Sequence, residues 1–166
     1  APAPNGSLLP RLHPVRSLAE VTKYEMRMWI INHASEDNRI LTPFIPVTND
    51  LLRALNLAGK KMAEAYEEVE ILMIDGWKLG AGNYCSANTL RGCCGLQEYN
   101  IYQTEILVWG TVSKEAIVAR WRWSDLTSSD MFRIFPALNF ISVGRKLADL
   151  RSDLQEDLEN VDPVEL

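Results

Sequence analysis

Two histidines, three cysteines and a few carboxylate runs are what this 166-residue chain offers to acid–base, nucleophilic or metal chemistry. His13 stands among prolines, and His33 opens the polar run His33–Asn38. A Ser-His-Asp arrangement needs a serine presented on a strained elbow, and no G-x-S-x-G is written anywhere. Zinc sites place cysteines two to four residues apart so that both sulfurs face one ion. Here Cys93 and Cys94 are adjacent, and seven residues separate Cys85 from Cys93. An odd count with an adjacent pair is also a poor disulfide framework, which points to a reducing compartment and against secretion. Only Arg91 lies close enough in sequence to favour a thiolate at Cys93 or Cys94. Glu67, Glu68 and Glu70 fall on the polar face of a helix and read as a solvated surface. Lys60 and Lys61 follow Gly59 without the glycine-rich loop or the Ser/Thr of a phosphate-binding loop. No catalytic residue, metal ligand or cofactor is therefore expected, and the chain does not read as an enzyme.

The remaining chemistry is that of contact. Arg120 and Arg122 alternate with Trp121 and Trp123. Arginine interleaved with aromatics suits bases and phosphates, and with Lys60 and Lys61 these are the candidate RNA or partner contacts. Alternation on a strand, however, sends the arginines to one face and the tryptophans to the other. The net charge of −5 gives little help, because the stretch from Arg145 to Leu166 carries three basic and seven acidic residues and so holds −4 of it. The nearly neutral remainder neither repels nor steers an anionic partner. The second contact candidate is the amino-terminal arm, residues 1–17, with Pro2, Pro4, Pro10 and Pro14. Prolines at that spacing forbid a helix and most ladder pairing. Its Leu8, Leu9, Pro10 and Leu12 read either as a greasy spacer or as a patch that docks on a neighbouring subunit.

The elements that would position these residues centre on Tyr99–Trp123, two runs rich in Ile, Val, Tyr and Trp around the polar break Ser113-Lys114-Glu115. Period-two alternation predicts a long antiparallel hairpin over 99–123. Tyr24, Met26, Met28 and Ile30 alternate as well, which predicts a strand entering near Val21. Pro43 and Pro46 limit 40–47 to an edge strand or connector. The clearest helix covers 49–69, opened by Thr48-Asn49-Asp50 and striped by Leu51, Leu55, Ala58, Met62, Ala65 and Val69. Val69–Trp77 reads as a buried strand, with continuation of the helix as the alternative. Residues 78–98 hold four of the nine glycines and read as a long aperiodic loop. A buried helix is predicted over 130–143, with a strand near Phe140 as the alternative. A last helix runs from Arg145, with Leu147, Leu150, Leu154, Leu158 and Val161 as a narrow seam, packed on a partner helix or on its own domain. The expectation is an α+β fold: an antiparallel sheet built on the 99–123 hairpin, covered by helices 49–69 and 130–143. The organisation is an arm (1–17), one domain (18–144) and an acidic carboxy-terminal helix (145–166). No apolar run is long enough for a membrane span, and no signal-peptide pattern opens the chain.

In element order, with EYNIYQTEILVWGTVSKEA leading into a Trp-Ser-Asp segment, a serine-rich helix start and an apolar helix, residues 20–144 resemble the core of rhabdovirus matrix proteins, as in a plant-infecting member. That resemblance implies a non-enzymatic, self-associating structural protein. Such a protein condenses nucleocapsid and links it to an envelope, with partners in itself, the nucleocapsid protein and the inner face of a membrane. It also implies a place in the virion and in the host cytoplasm or nucleus. The arm has only Arg11 and Arg16 where that family is lysine-rich, and it lacks a PPxY or P[ST]AP motif. An RNA-binding module, or an adaptor acting through its carboxy-terminal helix, is the alternative.

Overall fold

The segment read as a first strand is a helix, and its start explains why. Thr22 Oγ1 accepts from the Glu25 N–H at 3.2 Å, and Glu25 Oε2 accepts from the Thr22 N–H at 2.9 Å. This reciprocal capping box satisfies two amides that a helix start leaves orphaned, and helix α1 follows over Lys23–His33. Alternation and helical periodicity compete in KYEMRMWII. The helical register wins because it sends Met26, Trp29 and Ile30 together into one apolar cluster.

The computed structural model describes residues 3, 5–34, 40–64, 68–80, 82–143 and 146–160, without the side chains of 140, 142 and 143. Parts of five expectations lie outside these residues: the polar turn at 35–38, the end of the 49–69 helix at 65–67, Gly144-Arg145, residues Pro2 and Pro4, and the tail from Val161.

After α1 come β1 (Phe44–Thr48), α2 (Leu51–Ala63), β2 (Glu70–Ile74), β3 (Tyr84–Ser86) and α3 (Ala87–Cys93). Then follow β4 (Glu105–Trp109), β5 (Ile117–Arg122), α4 (Trp123–Thr127), α5 (Asp130–Ile134) and α6 (Leu147–Asn160). Helices with small antiparallel sheets make an α+β fold that ends in a helix, as expected. The predicted 99–123 hairpin does not form. Its two runs are β4 and β5, and they belong to different sheets: β4 lies between β1 and β3, whereas β5 pairs with β2. Ten residues from Tyr99 to Val108 are not one strand either, because Asn100–Tyr102 is a 3-10 turn. Gly110 (φ +77°) follows β4 and its N–H donates to Pro43, which turns the chain across β1 instead of back along β4. Within the three-stranded sheet β1 is an edge, as Pro43 and Pro46 require, paired antiparallel so that Phe44 faces Trp109 and Thr48 faces Glu105.

Two compact units result, one built from residues 1–49 and 74–118, the other from 50–73 and 119–166. This division differs from the expected arm, domain and tail. In the first unit, Ile30, Phe44, Ala87, Cys94 and Leu107 form one cluster, and Val108, Val112 and Ala116 form another that takes in Leu8. In this unit the 78–98 segment is built, not an aperiodic loop: it holds β3 and α3. Helix α3 closes in a Schellman motif, with Gly95 at φ +68°, Leu96 N–H donating to Arg91 O and Gly95 N–H donating to Gly92 O.

The second unit is organised by Leu55, Phe132, Leu138, Ile141 and Leu150. The predicted 130–143 helix breaks at Pro136 into α5 and a 3-10 stretch over Pro136–Val143. Helix α6 buries Leu150 completely and lays Leu154 on the same cluster, and Asp157 accepts from the Ala137 N–H at 2.9 Å. Of the two readings of its leucine seam, packing on its own unit is the one observed. Asp50 caps α2 by accepting from Arg53 N–H at 3.1 Å, and it also pairs with Arg151 of α6.

Candidate functional site

The first unit concentrates the polar chemistry. Capping fixes the start of α1, so its last residue, His33, reaches the start of β4. There Nε2 lies 2.9 Å from Glu105 Oε1. Glu105 is 8% exposed, and the His33 and Phe44 rings pack at a steep angle, 5.9 Å between centroids and 77° between planes. The aromatic contact continues through Phe44 to Trp109 at 5.6 Å and from Trp109 to Trp29 at 5.6 Å. Packing and the carboxylate together hold the imidazole in one orientation.

A cleft of about 430 Å³ lies beside Trp109, walled by the arm from His13 to Leu18, by Asn83 and by Trp109–Thr111. The indole is fixed there because Nε1–H donates to the carbonyl of Arg16 at 3.1 Å. Arg16 itself sits 5.9 Å over Trp29 and pairs with Glu25. The backbone amide of Thr22, then Arg16, holds the Glu25 carboxyl down at about 2. The arm that makes this wall is docked on its own unit. Leu8 and Val112 exchange both backbone bonds at 2.9 and 3.0 Å, Leu12 N–H donates to Thr42, and Ser7 and Pro10 are buried.

The three thiols divide by burial. Cys93 is exposed at the end of α3, whereas burial pushes the Cys85 and Cys94 thiols up. Arg91 does not serve them. It is buried, donates from Nε to Gln97 O at 2.7 Å, and lies 4.8 and 5.2 Å from the rings of Tyr99 and Tyr102. Arg27 donates to the carbonyls of Cys94 and Gly95 and so ties α1 to the end of α3. No group of three metal-ligating side chains occurs among the described residues.

The residues singled out by sequence fall in two places. Leu8, Leu9, Pro10 and Leu12 lie together on the arm of the first unit, half-buried except for Pro10, which is buried. Arg120, Arg122, Lys60 and Lys61 lie in the second unit, and three of them face carboxylates. Arg120 meets Glu70 at 3.3 Å, Arg122 meets Glu68 at 3.4 Å and Lys61 meets Glu64. Lys60 is exposed on α2. The outward arginines on β5 were anticipated; the tryptophan opposite them, Trp121, is 39% exposed and does not join the core. The His33–Glu105 pair was missed because its members are 72 positions apart. The cap signal Thr22-x-x-Glu25, which sets where His33 ends up, was the readable clue.

A family described as a domain of unknown function (DUF7587) matches residues 7–126, which takes in the whole of the described first unit from Ser7 onward and stops within α4. Neither curated proteins nor solved structures gave a match.

Proposed function

This chain belongs to the DUF7587 family, and from the seating of its arm we propose that it is a non-enzymatic, self-associating structural protein whose copies assemble by exchanging that arm. The carrying observation is the Leu8–Val112 bridge. The residues with docking character, Leu8, Pro10 and Leu12, have a receiving surface, and it is on the same chain. A segment that fits a groove in its own copy fits the same groove in another, so exchange forms intermolecular contacts at little cost beyond that of bringing two chains together. The arm is suited to it. Its prolines remove amide donors, and main-chain bonds of Leu8, Leu12 and the Arg16 carbonyl seat the arm on its unit. The capping boxes of Ser17-Glu20 and Thr22-Glu25 fix the chain just beyond, which confines movement to the arm. Trp77, 94% exposed on the 3-10 turn Gly76–Leu79 that Asp75 caps, supplies a further apolar surface of the type that interfaces use. Nothing corresponding supports an RNA-binding reading, since Arg120 and Arg122 face partner carboxylates.

Sedimentation velocity over a concentration series tests the proposal. The full chain is expected to sediment faster as concentration rises, and a chain lacking residues 1–17 to remain a monomer. Leu8→Asp, which leaves the length unchanged, is expected to behave like the truncated chain. A full chain that stays monomeric throughout, or a truncated chain that associates equally, refutes arm exchange.

A further inference from the structure

We propose that the cleft beside Trp109 binds a small, uncharged, polyhydroxylated ring, the chemistry of a pyranose sugar. The proposal is independent of arm exchange and rests on the volume of the cleft, its lining and its charge. About 430 Å³ lies between the arm from His13 to Leu18 and the body at Asn83 and Trp109–Thr111. That volume falls in the range of small-molecule sites. Both walls belong to the first unit, and both are pinned. Trp109 Nε1–H donates to the Arg16 carbonyl at 3.1 Å, Trp109 N–H to the Asn83 carbonyl at 2.7 Å and Gly110 N–H to the Pro43 carbonyl at 3.0 Å. The cleft is therefore formed before a ligand arrives, which spares binding the cost of ordering its walls.

The ligand class follows from what the lining offers. Among the described lining residues Arg16 alone is permanently charged, and Glu25 meets its guanidinium, so a charged ligand finds no free counter-charge there. The polar capacity that remains belongs to neutral groups. Asn83 donates from Nδ2 to the Leu79 carbonyl at 2.8 Å, which leaves Oδ1 to accept. Ser17 Oγ accepts from the Ala19 N–H at 3.3 Å and keeps its own proton to donate. The Thr111 hydroxyl does both, and the neutral His13 ring donates at one nitrogen and accepts at the other. Val15, Leu18 and Trp109 supply apolar carbon, and the indole offers only carbon because its N–H is taken. A pyranose matches that mixture. Its hydroxyls donate and accept, and its axial C–H groups form an apolar face that packs on carbon.

Methyl β-glucopyranoside, whose ring C–H groups are all axial, is the probe, titrated into the isotope-labelled full chain and followed by amide NMR. Saturable shifts are expected at the Asn83, Gly110 and Thr111 amides and at the Trp109 indole N–H. The indole of Trp77, 94% exposed and outside the cleft, is expected to stay in place. Val15→Trp, which fills the cleft from the arm side, is expected to abolish the shifts. Thr111→Val, which removes one hydroxyl at an exposed position and keeps the shape, is expected to weaken binding about fivefold. Shifts that are absent, that rise without saturating, that move Trp77 as much as Trp109, or that survive both substitutions overturn the proposal. Inorganic phosphate producing the same shifts overturns it too, because the site would then read charge. The titration of the unaltered chain decides even if Val15→Trp fails to fold.

Discussion

The two units bury different things. The first is electrically balanced, with eight basic and eight acidic residues, and it places a histidine–carboxylate pair, a buried arginine and linked aromatic rings among its apolar clusters. The second carries nine basic and fourteen acidic residues, so the whole −5 resides there; its centre is an apolar cluster around Ile141 and Leu150, and Asp50, a largely covered carboxylate, caps α2 and meets Arg151. Polar groups cost several kcal/mol to bury without partners and persist inside only where each is met. Replacing a polar side chain in the first unit therefore disturbs a buried pair, and replacing an apolar one in the second leaves a cavity. The family match covers the described first unit from Ser7 onward together with α2, β2, β5 and most of α4, and it ends before α5, the 3-10 stretch and α6.

The largest predicted effect lies in the second unit. Leu150→Ala leaves a cavity at a fully buried position and is expected to cost about 3 kcal/mol in urea unfolding. If α6 instead served as a seam for a partner, the loss would be near zero in the isolated chain. Next, Glu105→Ala in the first unit removes the acceptor of His33 Nε2–H and is expected to cost about 2 kcal/mol. Arg27→Ala, which frees the carbonyls at the end of α3, is expected to cost about 1 kcal/mol and to speed alkylation of Cys94. In the native chain iodoacetamide should label Cys93 first and Cys85 and Cys94 much later, because burial raises the latter two thiols.

A pH effect should come from the first unit as well. The folded Glu25 carboxyl lies below its ordinary 4.5, at about 2. Its contribution is thus fully present above about 4.5 and is lost as the pH falls toward about 2. Glu25→Gln should flatten the urea midpoint across that window. The smallest effect is expected at Arg120→Ala in the second unit, within about 0.5 kcal/mol, because its pair with Glu70 is solvent-exposed. A large loss there would break the division between the units.

Local signals in the sequence were legible where one physical cause dominated. Leu55 and Ala58 of the α2 stripe, the edge strand limited by Pro43 and Pro46, and Leu150 and Leu154 of α6 appear where they are expected, whereas Leu51 and Leu158 are exposed and α2 ends at Ala63, so that Val69 lies beyond it. Reading failed where two periodicities overlapped or where pairing was long-range. KYEMRMWII satisfies both a strand and a helix, and the capping box decides for the helix. The 99–123 runs alternate well enough for strands, but alternation says nothing about partners, and β4 and β5 each pair with a strand distant in sequence. Residues 78–98 were opaque because α3 is only seven residues long and ends in its own glycine cap. The contact residues of the arm were found by composition, whereas their seat at Val112 was not, because a single bridge has no periodicity.

The most direct test of arm exchange is the topology of a cross-link. In a Cys93→Ser background, Leu8→Cys with Val112→Cys places two thiols at the antiparallel bridge that seats the arm. Oxidation of a concentrated sample followed by non-reducing electrophoresis reads which chains are joined. Covalent dimers that appear at high concentration and give way to intrachain cross-links on dilution are the predicted result. Intrachain cross-links alone at every concentration would contradict it.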